Sequence, residues 1–186
     1  MINSKIILGT AQFGMDYGIN NTTGKINKSK VFDILNYAFL NGINELDTAS
    51  SYGDSEKVIG EYLNCYPKNR FIITTKISDI NVSLERQVNN SLENLKIKKI
   101  DKLLFHSYGV YKHFVKEVKV SPQKFKGVLF DELGVSIYTN NEIENLINDP
   151  FIDRIQSPFN ILDNYNKRGT YFEKLYLSGK KVDVRS

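Results

Sequence analysis

Four polar side chains each stand at or just beyond the C-terminal end of a short apolar run that is typical of a β-strand. They are an acid, a phenol, an ammonium and an imidazole: Asp47, Tyr52, Lys76 and His106. In proteins with parallel sheets, the active site is usually built at the edge where the strands end. The four side chains are therefore predicted to lie together as a proton-donating site.

A tyrosine hydroxyl, with an ordinary pKa of ~10, is a weak acid toward a carbonyl oxygen unless its anion is stabilised. The Lys76 ammonium could lower the pKa of Tyr52, and Asp47 could keep Lys76 charged and oriented. A neutral His106 could hydrogen-bond the same carbonyl and orient it. Such a site would protonate the oxygen of a C=O group. The reaction also needs a hydride, which no side chain supplies, so a nicotinamide cofactor is implied.

The elements that must position these residues are strands separated by helices. Apolar runs recur at intervals of roughly thirty residues and predict seven strands. The predicted strands are residues 5–9, 45–49, 71–76, 101–106, 134–138, 154–158 and 181–185. Segments of helical periodicity lie between them, the clearest being 28–41, where Val31, Leu35 and Ala38 share one face. This alternation predicts parallel strands joined by right-handed crossovers.

Two architectures have this pattern, an open doubly wound sheet and a (β/α)8 barrel. A barrel is favoured, because no Gly-x-Gly-x-x-Gly turn follows the first strand and the polar residues end three different strands. We therefore predict one α/β domain over residues 1–186, of the (β/α)8 TIM-barrel type. Because the sequence reaches Ser186 directly after the seventh strand, we expect an incomplete barrel that lacks the eighth βα unit.

Two Thr-x-x-Glu spacings, Thr139 with Glu142 and Thr170 with Glu173, predict helix starts with a capping box. The stretch 108–130 is interrupted by glycine and proline, which predicts a broken helix there.

The composition is that of an ordinary globular protein, with 41% apolar and 25% charged residues. No apolar run approaches the ~20 residues needed to span a bilayer, and the start, Met1 to Leu8, has too short an apolar core for a signal peptide. A cytoplasmic protein without membrane contact is therefore predicted. The net charge of +4 is spread among interleaved acids, so nucleic acid is not a predicted partner.

A metal-dependent hydrolase is a weaker alternative. The sequence has two histidines, His106 and His113, and no His-x-His pair. Cys65 is the single cysteine, which excludes an internal disulfide and a cysteine-based metal cluster within the chain. No metal site is predicted.

The most specific phrase in the sequence is Asp47-Thr48-Ala49-x-x-Tyr52-Gly53-x-Ser55-Glu56. Shorter phrases support it at Leu8-Gly9-Thr10-Ala11-Gln12-Phe13-Gly14, Thr75-Lys76, Phe105-His106, and within residues 134–138, 155–163 and 184–186. Together they resemble the aldo-keto reductase superfamily, from the first strand to the last residue. The resemblance implies a (β/α)8 barrel that reduces a small-molecule aldehyde or ketone with NADPH.

The resemblance further implies that Asp47, Tyr52, Lys76 and His106 match the catalytic tetrad of that family. In it the tyrosine is the general acid, the lysine and aspartate tune it, and the histidine orients the substrate.

The resemblance also implies the residues that hold NADP: Gly9, Thr10, Asp47, Ser136, Gln156 and Arg185. Gly9 and Thr10 match the loop beside the nicotinamide ribose, while Ser136 and Gln156 match the residues that hold the carboxamide. Arg185 stands where many members stack a tyrosine on the nicotinamide, and a guanidinium can also stack on a flat ring. Asn160 is a weaker candidate for the same pocket.

An unclosed barrel would leave the edges of the first and seventh strands unpaired. The chain could then form a homo-oligomer along these edges, or bind a separate polypeptide that supplies the missing part. The alternative to an active reductase is therefore a non-catalytic protein, either a truncated remnant or a partner-binding module of the same fold.

Overall fold

The computed structural model describes residues 5–186, so residues 1–4 of the predicted domain lie outside the described part. Seven parallel strands form one curled sheet, and each strand pairs with its neighbour in the sequence. The strands are β1 (Leu8–Gly9), β2 (Glu45–Asp47), β3 (Ile72–Ile77), β4 (Ile100–Phe105), β5 (Phe130–Ser136), β6 (Arg154–Pro158) and β7 (Lys181–Arg185).

The connections between the strands carry the helices, which pack their apolar faces on the sheet. They are α1 (Ala11–Gly14), α2 (Lys28–Leu40), α3 (Ser55–Cys65), α4 (Leu84–Leu95), α5 (Tyr108–Tyr111), α6 (Asn140–Leu146) and α7 (Tyr165–Leu177). In α2, Val31, Leu35 and Ala38 are buried as the periodicity predicted. Within residues 5–186, no helix is long and apolar enough to cross a membrane.

The segment after β4 is a broken helix, as predicted. Helix α5 continues into a π-helix at Lys112–Glu117, and a short 3-10 turn follows at Pro122–Lys124. β5 then begins at Phe130, four positions before the predicted strand at 134. Phe130 is fully buried, and the Ile100 N–H donates to the Leu129 carbonyl at 2.9 Å, so pairing with β4 extends the strand backwards.

One of the two predicted capping boxes is present and the other prediction is wrong. Thr139 accepts from the Glu142 N–H and the Glu142 carboxylate accepts from the Thr139 N–H, as a capping box requires. Thr170 lies inside α7, which begins after Asn164, whose side chain accepts from the Asn166 N–H. The earlier start is fixed by tertiary contacts of Arg168, one turn into the helix.

Arg168 is buried to 1% exposure and anchors α7 to the β5–α6 connection. Its guanidinium donates to Asp163 at 2.7 Å, to Asn140 at 2.7 Å and to the Tyr138 carbonyl at 2.6 Å. A buried arginine with several partners cannot be recognised from a hydrophobic pattern, which assigns arginine to the surface. The Thr170 spacing was therefore misleading.

The inside of the curled sheet is charged at the end where the strands begin. Glu45 on β2 accepts from Lys102 on β4 at 2.6 Å, a contact that passes over β3 and requires strong curvature. Arg154 on β6 bridges Glu132 on β5 at 2.8 Å and Asp183 on β7 at 2.6 Å. These pairs close one end of the interior, and the cavity lies at the other.

Candidate active site

A cavity of about 410 Å³ opens at the C-terminal ends of the strands. All nine predicted site residues line it, namely Gly9, Thr10, Asp47, Tyr52, Lys76, His106, Ser136, Gln156 and Arg185. The other lining residues are Ala11, Gln12, Tyr17, Tyr138 and Ser186. Asn160 lies outside this lining, and its side-chain oxygen accepts from the Leu162 and Asp163 N–H groups in a turn.

Parallel strands bring the four candidate acid-base residues together. Asp47 ends β2, Lys76 is the second-last residue of β3, and His106 directly follows β4. Tyr52 stands in the β2–α3 connection, which continues along β3 because the Ser50 N–H donates to the Lys76 carbonyl at 2.9 Å. The Tyr52 and His106 rings meet edge to face, with centroids 5.7 Å apart.

Lys76 and Asp47 form a buried ion pair. The Lys76 Nζ donates to Asp47 Oδ1 at 2.6 Å and to the Thr48 carbonyl at 3.1 Å, and Lys76 is only 1% exposed. Burial lowers the pKa of Lys76, whereas the Asp47 charge and hydrogen bond oppose that effect. The geometry therefore fits the predicted part of Asp47, which is to keep Lys76 charged and fixed in position.

The pKa of Tyr52 departs from the sequence prediction. Burial and the nearby Asp47 carboxylate raise it to about 12, whereas a lowered pKa was predicted. The Lys76 Nζ lies 5.2 Å from the Tyr52 ring centroid, but its charge is matched by Asp47 at 2.6 Å, so little is left to stabilise a phenolate. The Arg185 guanidinium acts in the opposite direction and lowers the pKa of Tyr52.

His106 is neutral near physiological pH. Burial, together with the Lys76 ammonium, lowers its pKa from 6.5 to about 4. Its Nδ1 lies 3.1 Å from Ser51 Oγ. A neutral imidazole is what the predicted hydrogen bond to a carbonyl requires.

The loop that carries Tyr52 is held from beneath by buried hydroxyl groups. Ser55 Oγ donates to the Thr10 carbonyl at 2.9 Å and accepts from Thr48 Oγ1 at 3.0 Å. Gly14 and Gly53 then let two backbones approach: a Cβ built on Gly14 would lie 1.7 Å from the Tyr52 carbonyl oxygen. Gly53 itself has φ +54°, a conformation that favours glycine.

The opposite side of the cavity has an open acceptor. Gln156 is 4% exposed, and its Oε1 is buried without a hydrogen-bond partner among residues 5–186. Ser136 lies on the neighbouring strand at the paired position. Arg185 stacks on Tyr138, with its Cζ 4.6 Å from the ring centroid, and its Nη2 donates to the Ile137 carbonyl at 3.3 Å.

Sequence comparison assigns the family. The model of the aldo/keto reductase family matches residues 5–175. The chain belongs to the aldo/keto reductase family. This confirms the resemblance that the Asp47 to Glu56 phrase predicted.

Individual relatives show how much of an aldo-keto reductase this chain spans. D-arabinose 1-dehydrogenase of Saccharomyces cerevisiae is 29% identical over 152 residues, which cover 73% of this chain and 43% of the yeast protein. The chain thus spans less than half the length of this curated relative.

Solved structures confirm the fold. A protein from Pseudomonas aeruginosa, described as an aldo-keto reductase, superposes with a TM-score of 0.78 at 24% identity, covering 97% of this chain and 72% of that one. A Bombyx mori aldo-keto reductase in complex with NADP gives a TM-score of 0.72 at 17% identity, covering 97% and 62%. The seven parallel strands therefore correspond to an incomplete (β/α)8 barrel, as predicted.

Several residues around this aldo-keto reductase cavity were not found by sequence reasoning. Tyr17 and Tyr138 line it from loops and Gln12 from the four-residue helix α1, where no periodicity marks a side chain as inward-facing. Ser51 contacts His106, which lies 55 positions later in the sequence. The one feature of the sequence that could have marked Ser51 as a site residue is its position next to Tyr52 within the most specific phrase.

The lowered pKa of His106 predicts a loss of stability in acid. The unfolded chain binds the imidazole proton below pH 6.5 and the folded chain below about 4, so the free energy of unfolding falls as pH drops through this window. The loss should reach up to about 3 kcal/mol, less where solvent screens the ring. Urea unfolding between pH 7 and 4 measures it.

The His106→Gln variant should lose this part of the pH dependence. His113→Gln, which lies outside the cavity, should keep it. Equal slopes in the wild type and His106→Gln would contradict the assignment.

Proposed function

We propose that this chain reduces an aldehyde or ketone to an alcohol, with NADPH as hydride donor and Tyr52 as general acid. The observation that carries the proposal is one cavity, in a member of the aldo/keto reductase family, that gathers Tyr52, His106 and the Lys76–Asp47 ion pair. These groups can hold a carbonyl oxygen and deliver a proton to it.

The cofactor side of the cavity suits a carboxamide. A primary amide has two N–H donors, and Gln156 Oε1 is a buried acceptor that lacks a donor among residues 5–186. Ser136, at the paired position on β5, adds a hydroxyl. A nicotinamide bound there would supply the hydride. The NADP bound to the Bombyx mori relative supports this choice of cofactor.

Proton delivery follows from the states of the tetrad. With a pKa of about 12, Tyr52 keeps its proton at neutral pH and can therefore act as a proton donor. As the carbonyl oxygen gains negative charge, it becomes a better hydrogen-bond acceptor, and the Tyr52 proton moves to it. The remaining phenolate is stabilised by the nearby Arg185 guanidinium, which lowers the pKa of Tyr52. His106 holds the oxygen in line through an imidazole N–H.

The substrate proposal stays at the level of a small carbonyl compound. The yeast relative is a dehydrogenase of D-arabinose by name, which supports hydride exchange at a carbon that carries oxygen. NADPH consumption with a panel of aldehydes and ketones tests the activity. NADPH binding without turnover would favour the alternative of a non-catalytic module with the same fold.

Replacing Gln156 by leucine should weaken NADPH binding about tenfold, because one buried hydrogen bond to the carboxamide is lost. Quenching or enhancement of NADPH fluorescence on titration measures the dissociation constant. The matched control is Gln123→Leu, at a half-buried glutamine outside the cavity, which should leave the affinity unchanged. An absence of NADPH binding to the wild-type chain would overturn the proposed cofactor for this chain.

A further inference from the structure

Ser51 contacts the catalytic histidine candidate from outside the cavity. Its Oγ lies 3.1 Å from His106 Nδ1, and this is the one side-chain hydrogen bond of the ring that the structure shows within residues 5–186. Ser51 is exposed and is absent from the cavity lining, so a carbonyl compound bound in the cavity would not touch it. Any effect of Ser51 on the reaction must therefore pass through His106.

A neutral imidazole has one N–H group, and the partner of one nitrogen decides which nitrogen carries it. His106 is neutral because it is buried and lies near the Lys76 ammonium. If the Ser51 hydroxyl donates to Nδ1, the proton of the ring lies on Nε2. If Nδ1–H donates to Ser51 Oγ, Nε2 carries a lone pair instead.

The two tautomers differ in what they offer a substrate. Since Nδ1 is occupied by Ser51, Nε2 is the nitrogen left for the cavity that His106 lines. A carbonyl oxygen is attracted by an N–H donor and repelled by a nitrogen lone pair. Only the tautomer with the proton on Nε2 can hold the carbonyl beside Tyr52.

We propose that Ser51 is a positioning residue that fixes His106 in the Nε2–H tautomer by donating its hydroxyl proton to Nδ1. The kinetic consequence of this inference rests on the proposed function, whereas the tautomer itself does not. The serine thereby directs the imidazole N–H at the oxygen that Tyr52 protonates.

Nitrogen NMR of the histidine rings tests the tautomer without turnover. The chain has two histidines, so His106 is assigned by comparison with His113→Gln. In the wild type at neutral pH, His106 should show a protonated Nε2 and an unprotonated Nδ1. Ser51→Ala should shift the ring toward a mixture of tautomers, whereas Ser51→Thr, which keeps the hydroxyl, should preserve the wild-type pattern.

Ser50→Ala is the matched control for the same measurement. Ser50 is the adjacent exposed serine, and its hydroxyl donates to the Lys76 carbonyl at 3.0 Å instead of to His106. Its removal should leave the His106 nitrogen signals unchanged. A wild-type ring protonated on Nδ1, or identical His106 signals in the wild type and Ser51→Ala, would overturn the proposal.

The kinetic test is a fall in kcat/KM for carbonyl reduction of about 3- to 10-fold in Ser51→Ala, with unchanged NADPH affinity and recovery in Ser51→Thr. Equal losses in Ser51→Ala and Ser50→Ala would count against a specific effect of Ser51. If the wild-type chain shows no turnover, the proposed function fails, while the NMR result still decides the tautomer.

Discussion

Replacing Tyr52 by phenylalanine should reduce carbonyl reduction by about 100- to 10,000-fold, the contribution of a well-placed general acid. Phenylalanine keeps the ring and its edge-to-face contact with His106, so the cavity retains its shape. It lacks the proton that a pKa of about 12 holds on Tyr52 at neutral pH. NADPH consumption with a reactive aldehyde measures the loss, and NADPH affinity should stay unchanged.

Tyr17→Phe is the matched control for that measurement. Tyr17 also lines the cavity, but its contact with Gln12 is made by the backbone carbonyl, which the substitution leaves in place. Its activity should remain close to that of the wild type. A Tyr52→Phe variant that retained more than about a tenth of wild-type turnover would exclude Tyr52 as the general acid.

The second large effect is expected for Gly14→Ala. The added Cβ would lie 1.7 Å from the Tyr52 carbonyl oxygen and 2.3 Å from the Ser55 nitrogen, both in the backbone. Either α1 or the Tyr52 loop must move, at a cost of about 3 kcal/mol or more in unfolding free energy. Because the loop carries Tyr52, residual folded protein should also lose activity.

Chemical denaturation of Gly14→Ala, followed by NADPH consumption on the folded fraction, separates these two effects. Gly109→Ala is the control, since a Cβ there would meet only the Ser107 hydroxyl, at an ordinary 3.6 Å. That variant should change the unfolding free energy by less than about 1 kcal/mol. Gly14→Ala with wild-type stability would show that α1 and the Tyr52 loop can separate without penalty.

The strands that position the candidate acid-base residues were predicted to within two residues at each end. β6 and β7 were predicted with the bounds observed, whereas β2 ends at Asp47 instead of residue 49, β3 lies one position later than predicted and β4 one position earlier. The first strand was predicted over residues 5–9 and is confined to Leu8–Gly9. Pairing decides such limits, and β1 pairs with β2 at only two positions, Leu8 with Leu46 and Gly9 with Asp47.

The convergence of the site was predictable because parallel strands end on the same side of a sheet. The direction of the Tyr52 pKa shift could not be predicted from the sequence, because it depends on burial and on how strongly Asp47 neutralises Lys76. Contacts that arise only from the fold were also out of reach, such as the stacking of Arg185 on Tyr138. The Ser51–His106 contact belongs to the same class.

The pairing of each strand with its sequence neighbour has a consequence for synthesis of the chain. Each new strand has its docking edge ready when it leaves the ribosome, because the preceding strand is already made. Asp47, Tyr52, Lys76 and His106 all lie in the first 106 residues, before β5 begins. The proton-handling half of the cavity can therefore assemble during translation, before Ser136, Gln156 and Arg185 have left the ribosome to receive a cofactor.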